Sequence, residues 1–142
     1  MVKTYKSKIG LLRILTPFVF LTLIQSKSIG EGKFDLYLKV ILVYSIIVTL
    51  IYEFTKYSIK GNILNIRGGF LINKDIDIPS IEKLKYNNKD KYRKYSYFHN
   101  PILSYDCVEV IYQNGKSIFV SPKDKEDFVN EIQHINPKIQ LV

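Results

Sequence analysis

The sequence predicts a chain of two parts: a transmembrane helical hairpin, followed by a small, mainly-β domain that one C-terminal helix closes. Three observations predict this fold class. Two long apolar stretches precede residue 56, short β-rich runs separated by turn residues follow from Tyr57, and an apolar stripe at helical spacing comes last. We therefore expect a membrane anchor at 1–56 and a cytoplasmic domain at 57–142.

Composition limits the chemistry of the chain but does not identify a partner. The 142 residues carry a formal charge of +8 and a single cysteine, Cys107. One cysteine excludes an internal disulfide framework, and its surroundings offer no second thiolate at metal-binding spacing. Lysine is frequent throughout the chain, so the basic charge alone does not indicate a particular ligand.

The second apolar stretch, "LYLKVILVYSIIVTLIY", carries one charge, Lys39, near its start. With flanking Phe34 and Phe54 it reaches about 20 residues, enough to cross roughly 30 Å of hydrocarbon. Lys39 lies about one turn inside, and its side chain could extend back to the headgroups. A span at about 35–55 is predicted. The alternative is a buried core helix, but so short a chain has little left to cover it on all sides.

The first apolar stretch, "IGLLRILTPFVFLTLI", predicts a span at about 9–25. It contains Arg13 near its start and Pro17, which can kink a helix. Basic residues followed by an apolar run also describe a signal peptide, with "SKS" at Ser26–Ser28 as a poor cleavage site. No alanine-type site follows, which favours a retained span, and cleavage remains the alternative.

Charge asymmetry predicts the orientation of this hairpin. The segment between the two stretches balances its basic and acidic residues. Both outer flanks are basic, and the positive-inside rule then places both termini of a multi-pass cell-membrane protein in the cytoplasm. The basic flanking residues are Lys3, Lys6, Lys8 and Arg13 on one side and Lys56, Lys60 and Arg67 on the other.

Turn residues and alternating apolar residues mark the strands of the second part. Gly61-Asn62 separates two β-rich runs, as in a hairpin, and "DIDI" at Asp75–Ile78 alternates like a strand with one buried face. Pro79 interrupts that pattern before a further strand. Asn114-Gly115, between "YDCVEVIYQ" and "KSIFV", predicts a two-residue type I′ hairpin turn.

The stretch "FVSPKDKEDF", Phe119–Phe128, is predicted to join the last strand to the closing helix. Ser121 occupies an N-cap position, Pro122 suits the first helical position, and Asp124 completes an approximate capping box. Phe128, Val129, Ile132 and Ile135 then recur at helical spacing, and Asn136-Pro137 ends the helix. The stretch is therefore interpreted as structural and not as an active site.

Several segments resemble the bacterial pleckstrin-homology-like (PH-like) domains formerly grouped as DUF1200. These are "YSIKGNILNIRGG", "IDIPSI", "NPILSY" and "VIYQNGKSIFVSPKDKEDFVNEI", and the resemblance covers about residues 57–140. The resemblance implies an antiparallel β barrel or sandwich capped by one C-terminal helix, often preceded by one or two spans. One type of member is the immunity protein that protects a producing bacillus from its own bacteriocin, sublancin.

The segment "KLKYNNKDKYRKYSYFHN" combines basic and tyrosine side chains. Three interpretations remain: a solvated inter-strand loop, contact with anionic lipid headgroups or a partner at the membrane, and nucleic acid, which is the least favoured. Its candidate contact residues are Lys83, Lys85, Lys89, Lys91, Arg93 and Lys94.

No residue is predicted to be catalytic, to bind a cofactor or to ligate a metal. His99, His134 and Cys107 with Asp106 are the available parts, but no phosphate loop, zinc-protease or nucleophile-elbow motif includes them. We therefore expect a non-enzymatic, membrane-anchored binding module that serves bacteriocin immunity at the cytoplasmic face, contacting a bacteriocin or another membrane protein. The alternative is a scaffold or regulatory subunit of a membrane protein complex, such as a transporter or an envelope stress system.

Overall fold

The computed structural model describes residues 2–10, 15, 18–19, 22–23, 34–87, 101–104 and 106–142. Within these residues it contains eight strands, two α-helices with defined bounds and a short 3-10 helix (Ile78–Ser80). In chain order the strands and helices are β1 (Val2–Lys6), α1 (Phe34–Phe54), β2 (Lys56–Lys60), β3 (Ile63–Gly68), β4 (Ile72–Asp77), β5 (Ile81–Asn87), β6 (Cys107–Tyr112), β7 (Lys116–Val120), α2 (Lys125–Ile135) and β8 (Gln140–Leu141).

Two four-stranded sheets form the domain. The first has the order β1-β2-β3-β4 and is antiparallel, and the second has the order β7-β6-β5-β8, with only β8 parallel to its neighbour. Apolar side chains at every second position point inward, as Tyr57 and Ile59 do in β2 and Val108 and Val110 do in β6. These side chains form one core with the buried side chains of α2. The predicted mainly-β fold with one closing helix is confirmed.

Helix α2 covers the core with its predicted stripe. Phe128, Val129 and Ile132 are buried, and the helix ends before Asn136-Pro137, as the sequence predicts. The Phe128 ring centroid lies 5.2 Å from that of Tyr5, nearly perpendicular to it. Such edge-to-face contacts add to the area that an aromatic side chain buries.

Both predicted hairpins form, but one has a different turn. Gly61 adopts a φ of 57° between β2 and β3, which glycine tolerates without strain. Between β6 and β7, Tyr112 pairs with Lys116, so three residues, Gln113 to Gly115, make the connection, all with positive φ. The predicted two-residue type I′ turn is therefore wrong, although the hairpin is confirmed.

The first described residues form an integral strand of the domain. β1 pairs with β2 from Val2–Lys60 to Lys6–Lys56. Beyond β1, the Lys8 N–H donates to the Ser121 carbonyl at 2.6 Å, so the chain also contacts the end of β7. The basic N-terminal segment that was predicted to flank a membrane span is instead a strand that links the two sheets.

The predicted transmembrane hairpin is wrong. Among the described residues, no helix is both long enough and apolar enough to cross a membrane. Helix α1 contains Asp35, Lys39 and Glu53, so its uncharged run from Val40 to Tyr52 measures roughly 20 Å, against about 30 Å of hydrocarbon. The corresponding prediction of a multi-pass cell-membrane protein with two cytoplasmic termini is wrong as well.

Parts of that prediction fall outside the described residues. The first expected span, at about 9–25, is described at only a few positions, and of the expected outer segment, Ser26–Asp35, only the last two residues are described. The division of the chain at residue 56 into two domains stays a prediction, while β1 contributes residues from before that division to the first sheet.

Candidate functional site

The outward face of the first sheet forms a concave surface of about 480 Å³ that polar and apolar side chains line together. Its residues alternate with the buried ones along each strand. The alternation that directs apolar side chains into the core therefore also determines which side chains lie on this outward face. The polar residues that line it include Thr4, Lys56, Ser58, Lys60, Asn65 and Arg67.

Three basic residues from consecutive strands form a row across this face, which we call the cation row. Lys6 pairs with Lys56, and Lys56 pairs with Arg67. Directly opposed residues have Cβ atoms about 4.5–5.5 Å apart, and like charges at that distance destabilise a sheet. Glu53 approaches Lys6 at 3.7 Å, but Lys56 and Arg67 form no ion pair with any residue that the structure describes. The row is therefore suited to an anionic group of a partner.

The adjacent row supplies hydrogen-bonding groups without net positive charge. Thr4 and Ser58 face each other with their hydroxyl oxygens 3.5 Å apart, and the Asn65 side-chain amide donates to the Asp75 carboxylate. Asp75 places a negative charge between the cation row and Lys60, which lies on the other side of this polar row. A partner that fits both rows would combine an anionic group with polar groups that face the sheet two residues further along each strand.

An exposed apolar surface lies next to the cation row. Helix α1 ends beside the β3–β4 turn, where the rings of Phe54 and Phe70 lie 4.6 Å apart. The turn is held to the helix by the Gly69 N–H, which donates to the Thr55 hydroxyl at 3.0 Å. Phe70 is 67% exposed and Leu71 86% exposed. Contiguous exposed apolar surface of this kind indicates an interaction site.

The structure describes two of the six predicted contact residues in the basic, tyrosine-rich segment. Lys83 and Lys85 lie on β5, on the outward face of the second sheet, and are half-buried. Lys89, Lys91, Arg93 and Lys94 lie outside the described residues, as does His99. The lipid, partner and nucleic-acid interpretations of the segment therefore stay predictions.

Ser121 is a buried junction residue and not the predicted N-cap. Helix α2 begins at Lys125, and its N-cap is Asp124, whose side chain makes no capping hydrogen bond. The Ser121 hydroxyl instead accepts the Leu103 N–H at 3.1 Å and lies 3.0 Å from the Ser7 hydroxyl. Pairing with the chain after β1 keeps this stretch extended and delays the helix.

Tyr57 completes this buried polar cluster. Its hydroxyl donates to the Pro101 carbonyl at 2.6 Å and accepts the Ser121 N–H at 3.0 Å. Burial raises the pKa of the Tyr57 hydroxyl. The cluster joins β2, β7 and the segment at 101–104, and its role is structural.

Ion pairs fix the surface around the cluster. Asp106 contacts both Lys125 and Lys8, and these contacts, with Lys125 the larger cause, lower the pKa of its carboxyl. On β1, Lys3 pairs with Asp127 of α2 at 2.9 Å. The Tyr5 hydroxyl donates to the same carboxylate at 3.0 Å, and burial, followed by this contact, raises the pKa of Tyr5 to about 12.

The candidate residues for chemistry do not converge in the described part of the chain. There, no group of three or more His, Cys, Asp or Glu side chains comes close enough to hold a metal ion. His134 is exposed in the last turn of α2, and Cys107 is buried in β6 against Phe119 and Ile102. The concave face and the exposed edges of the sheets therefore remain as candidate sites.

Comparison with known proteins assigns the family. The bacterial PH domain family matches residues 55–136, which contain β2 to β7 and helix α2. This chain belongs to the bacterial PH domain family. No curated protein and no solved structure is significantly similar to it. The match confirms the PH-like domain predicted from the sequence, and it leaves the narrower resemblance to sublancin immunity proteins as a hypothesis.

The match begins after β1 and α1, so three residues of the candidate site lie outside the matched range. Lys6, Glu53 and Phe54 precede residue 55. Sequence reasoning missed the cation row because Lys6 was assigned to the flank of a membrane span. The alternation in "KYSIK" and "ILNIR" already placed Lys56 and Arg67 on the outward face, and that signal was available.

Proposed function

We propose that this bacterial PH domain protein is a non-catalytic binding module that holds an acidic surface of a protein partner on the outward face of its first sheet. PH-like domains generally act as binding modules. The observation that supports this proposal is the cation row, in which Lys56 and Arg67 lack an ion-pairing partner among the described residues. An acidic partner would remove the repulsion between these neighbours.

Bacteriocin immunity is the biological role that we propose for this module. It rests on the resemblance of "SPKDKEDF" and the neighbouring segments to immunity proteins. A binding module could intercept a bacteriocin or shield its target without any chemical step, which fits a site composed of cations and hydrogen-bonding groups.

The test is expression of the full chain in a strain that is sensitive to a co-encoded bacteriocin. Protection is compared between the wild type, the double variant Lys56→Glu/Arg67→Glu and the control Lys116→Glu. Lys116 is exposed on the other sheet, so its reversal makes the same kind of change away from the site. Loss of protection in the double variant alone supports the proposal. Full protection by the double variant contradicts the assignment of the surface.

The alternative role is a scaffold or regulatory subunit of a membrane protein complex, such as a transporter or an envelope stress system. The exposed apolar side chains of α1 and of Phe70 and Leu71 favour it, because contiguous apolar surface fits a helical protein partner. If the wild type gives no protection, Leu71→Asp would be compared with Lys116→Glu for co-purification with each co-encoded membrane protein. Co-purification that both variants retain contradicts the assignment of the apolar surface, and no co-purification with the wild type contradicts the alternative role.

A further inference from the structure

The edge of β5 that does not pair with β6 is covered by residues 140–142 of the same chain. Gln140 and Leu141 of β8 pair in parallel with Lys83 and Leu84. The Val142 N–H donates to the Leu84 carbonyl at 3.0 Å, and the Tyr86 N–H donates to the Val142 carbonyl at 3.2 Å. In a parallel ladder these two bonds place Val142 opposite the intervening residue, Lys85.

The pairing of residues 140–142 with β5 is short and exposed, whereas Ile139, which precedes it, is buried in the core. Leu141 is 47% exposed and Val142 66% exposed. Ile139, by contrast, is buried in the core, and the Asn136 side-chain amide donates to the carbonyls of Ile78 and Ile81. Release of residues 140–142 therefore frees the β5 edge without opening the core.

The side chains of residues 140–142 do not complement the positive charge of β5. Lys83 lies between Ile111 on β6 and Gln140 on β8, so neither cross-strand neighbour carries a negative charge. Lys85 is opposed by Glu109 on β6 and by Val142 on the other side. A strand with an acidic residue opposite Lys83 would form a cross-strand ion pair that Gln140 cannot form.

We propose that the β5 edge is a strand-addition site for an extended acidic peptide segment of a partner protein, and that residues 140–142 occupy it in the unbound chain. The peptide adds its backbone hydrogen bonds to β5, places an acidic side chain beside Lys83 and directs its alternate, apolar side chains toward Leu84. Residues 140–142 compete with the peptide for the same N–H and carbonyl groups. This site lies on the second sheet and does not depend on the cation row.

The experiment measures binding of the peptide acetyl-Val-Glu-Val-Glu-Val-amide by calorimetry. It compares the full chain with a variant that lacks residues 140–142. The variant should bind about tenfold more tightly, since no intramolecular hydrogen bonds must be broken first. The matched peptide with proline in place of the central valine should bind much more weakly, because it lacks a donor and disfavours a strand. Equal binding of the two peptides, or no binding to the variant, overturns the proposal.

Two further variants keep the test decisive if the deletion impairs folding. Val142→Pro removes the N–H that bonds Leu84, whereas Val142→Ala retains it, so only the proline variant should reproduce the tighter binding. Lys83→Glu should shift the preference to acetyl-Val-Lys-Val-Lys-Val-amide, and Lys116→Glu should not. Hydrogen exchange of the Tyr86 amide should slow when the acidic peptide binds the variant. An unchanged rate at Tyr86, or a charge preference that does not depend on Lys83, contradicts the site.

Discussion

Replacement of Tyr5 by alanine tests whether β1 belongs to the core. Tyr5 is 5% exposed, packs edge-on against Phe128 at 5.2 Å, and donates a hydrogen bond to Asp127. Truncation of a buried aromatic side chain costs about 3–5 kcal/mol, and the position of Tyr5 on an edge strand favours the lower end. We therefore expect Tyr5→Ala to lower the free energy of unfolding of the full chain by about 3 kcal/mol.

Urea denaturation followed by circular dichroism measures this change. Tyr5→Phe keeps the ring and removes only the hydroxyl, so it should cost about 1 kcal/mol. Val2→Ala, on the same strand but 60% exposed, should change the free energy by less than about 0.5 kcal/mol. The reasoning is refuted if Tyr5→Ala unfolds at the same urea concentration as Val2→Ala, because β1 would then contribute nothing to the core.

Three other changes test the junction between the sheets. Tyr57→Phe leaves the buried Ser121 N–H without its acceptor and should cost about 1–3 kcal/mol in the same assay, and a neutral result would show that another group replaces the hydroxyl. Gly68→Ala would place a Cβ 2.3 Å from the Pro101 Cβ, so a fall in melting temperature is expected, and an unchanged melting temperature would contradict the close approach. The pKa of Asp106 is lowered in the folded chain, so its contribution to stability is present above about pH 4 and is lost as the pH falls through the folded pKa. Asp106→Asn should therefore reduce the dependence of unfolding on pH below about 4, and an identical pH profile would contradict the ion pairs.

Local sequence patterns predicted the parts of the fold that local physics determines. Alternation in "DIDI" indicated a strand at Asp75–Ile78, of which β4 contains all but Ile78, and the apolar spacing after Phe128 located helix α2, because burial on one face requires those periods. The start of α2 could not be predicted in this way. Ser121 has the chemistry of an N-cap, but Ser7 and Lys8, which follow β1 more than 110 positions earlier in the chain, hydrogen-bond to its hydroxyl and its backbone carbonyl.

The N-terminal part was the least predictable. The length and apolarity of the run around α1 suggested a span, and Lys3, Lys6 and Lys8 fitted its basic flank. The same residues in "VKTYKS" alternate as a strand does, with Tyr5 and Ser7 buried, but two apolar stretches separate them from their partner strand. Pairing over such a distance leaves no local signal that identifies the partner strand, so the place of β1 in the sheet and the Lys6 end of the cation row could not be predicted.

The placement of β1 also affects the order in which this protein can fold. Forty-nine residues, 7–55, separate β1 from its partner β2, and Tyr5 contacts a carboxylate that lies 122 positions later. Closing long loops costs entropy, although each doubling of the loop adds only about 0.6 kcal/mol, and contacts distant in sequence slow folding. During synthesis β1 leaves the ribosome before the strands and helix that it contacts. Until α2 has been made, Tyr5 lacks its Phe128 contact and Lys3 lacks its Asp127 partner, so β1 can gain these two contacts only after the chain has been synthesised through α2.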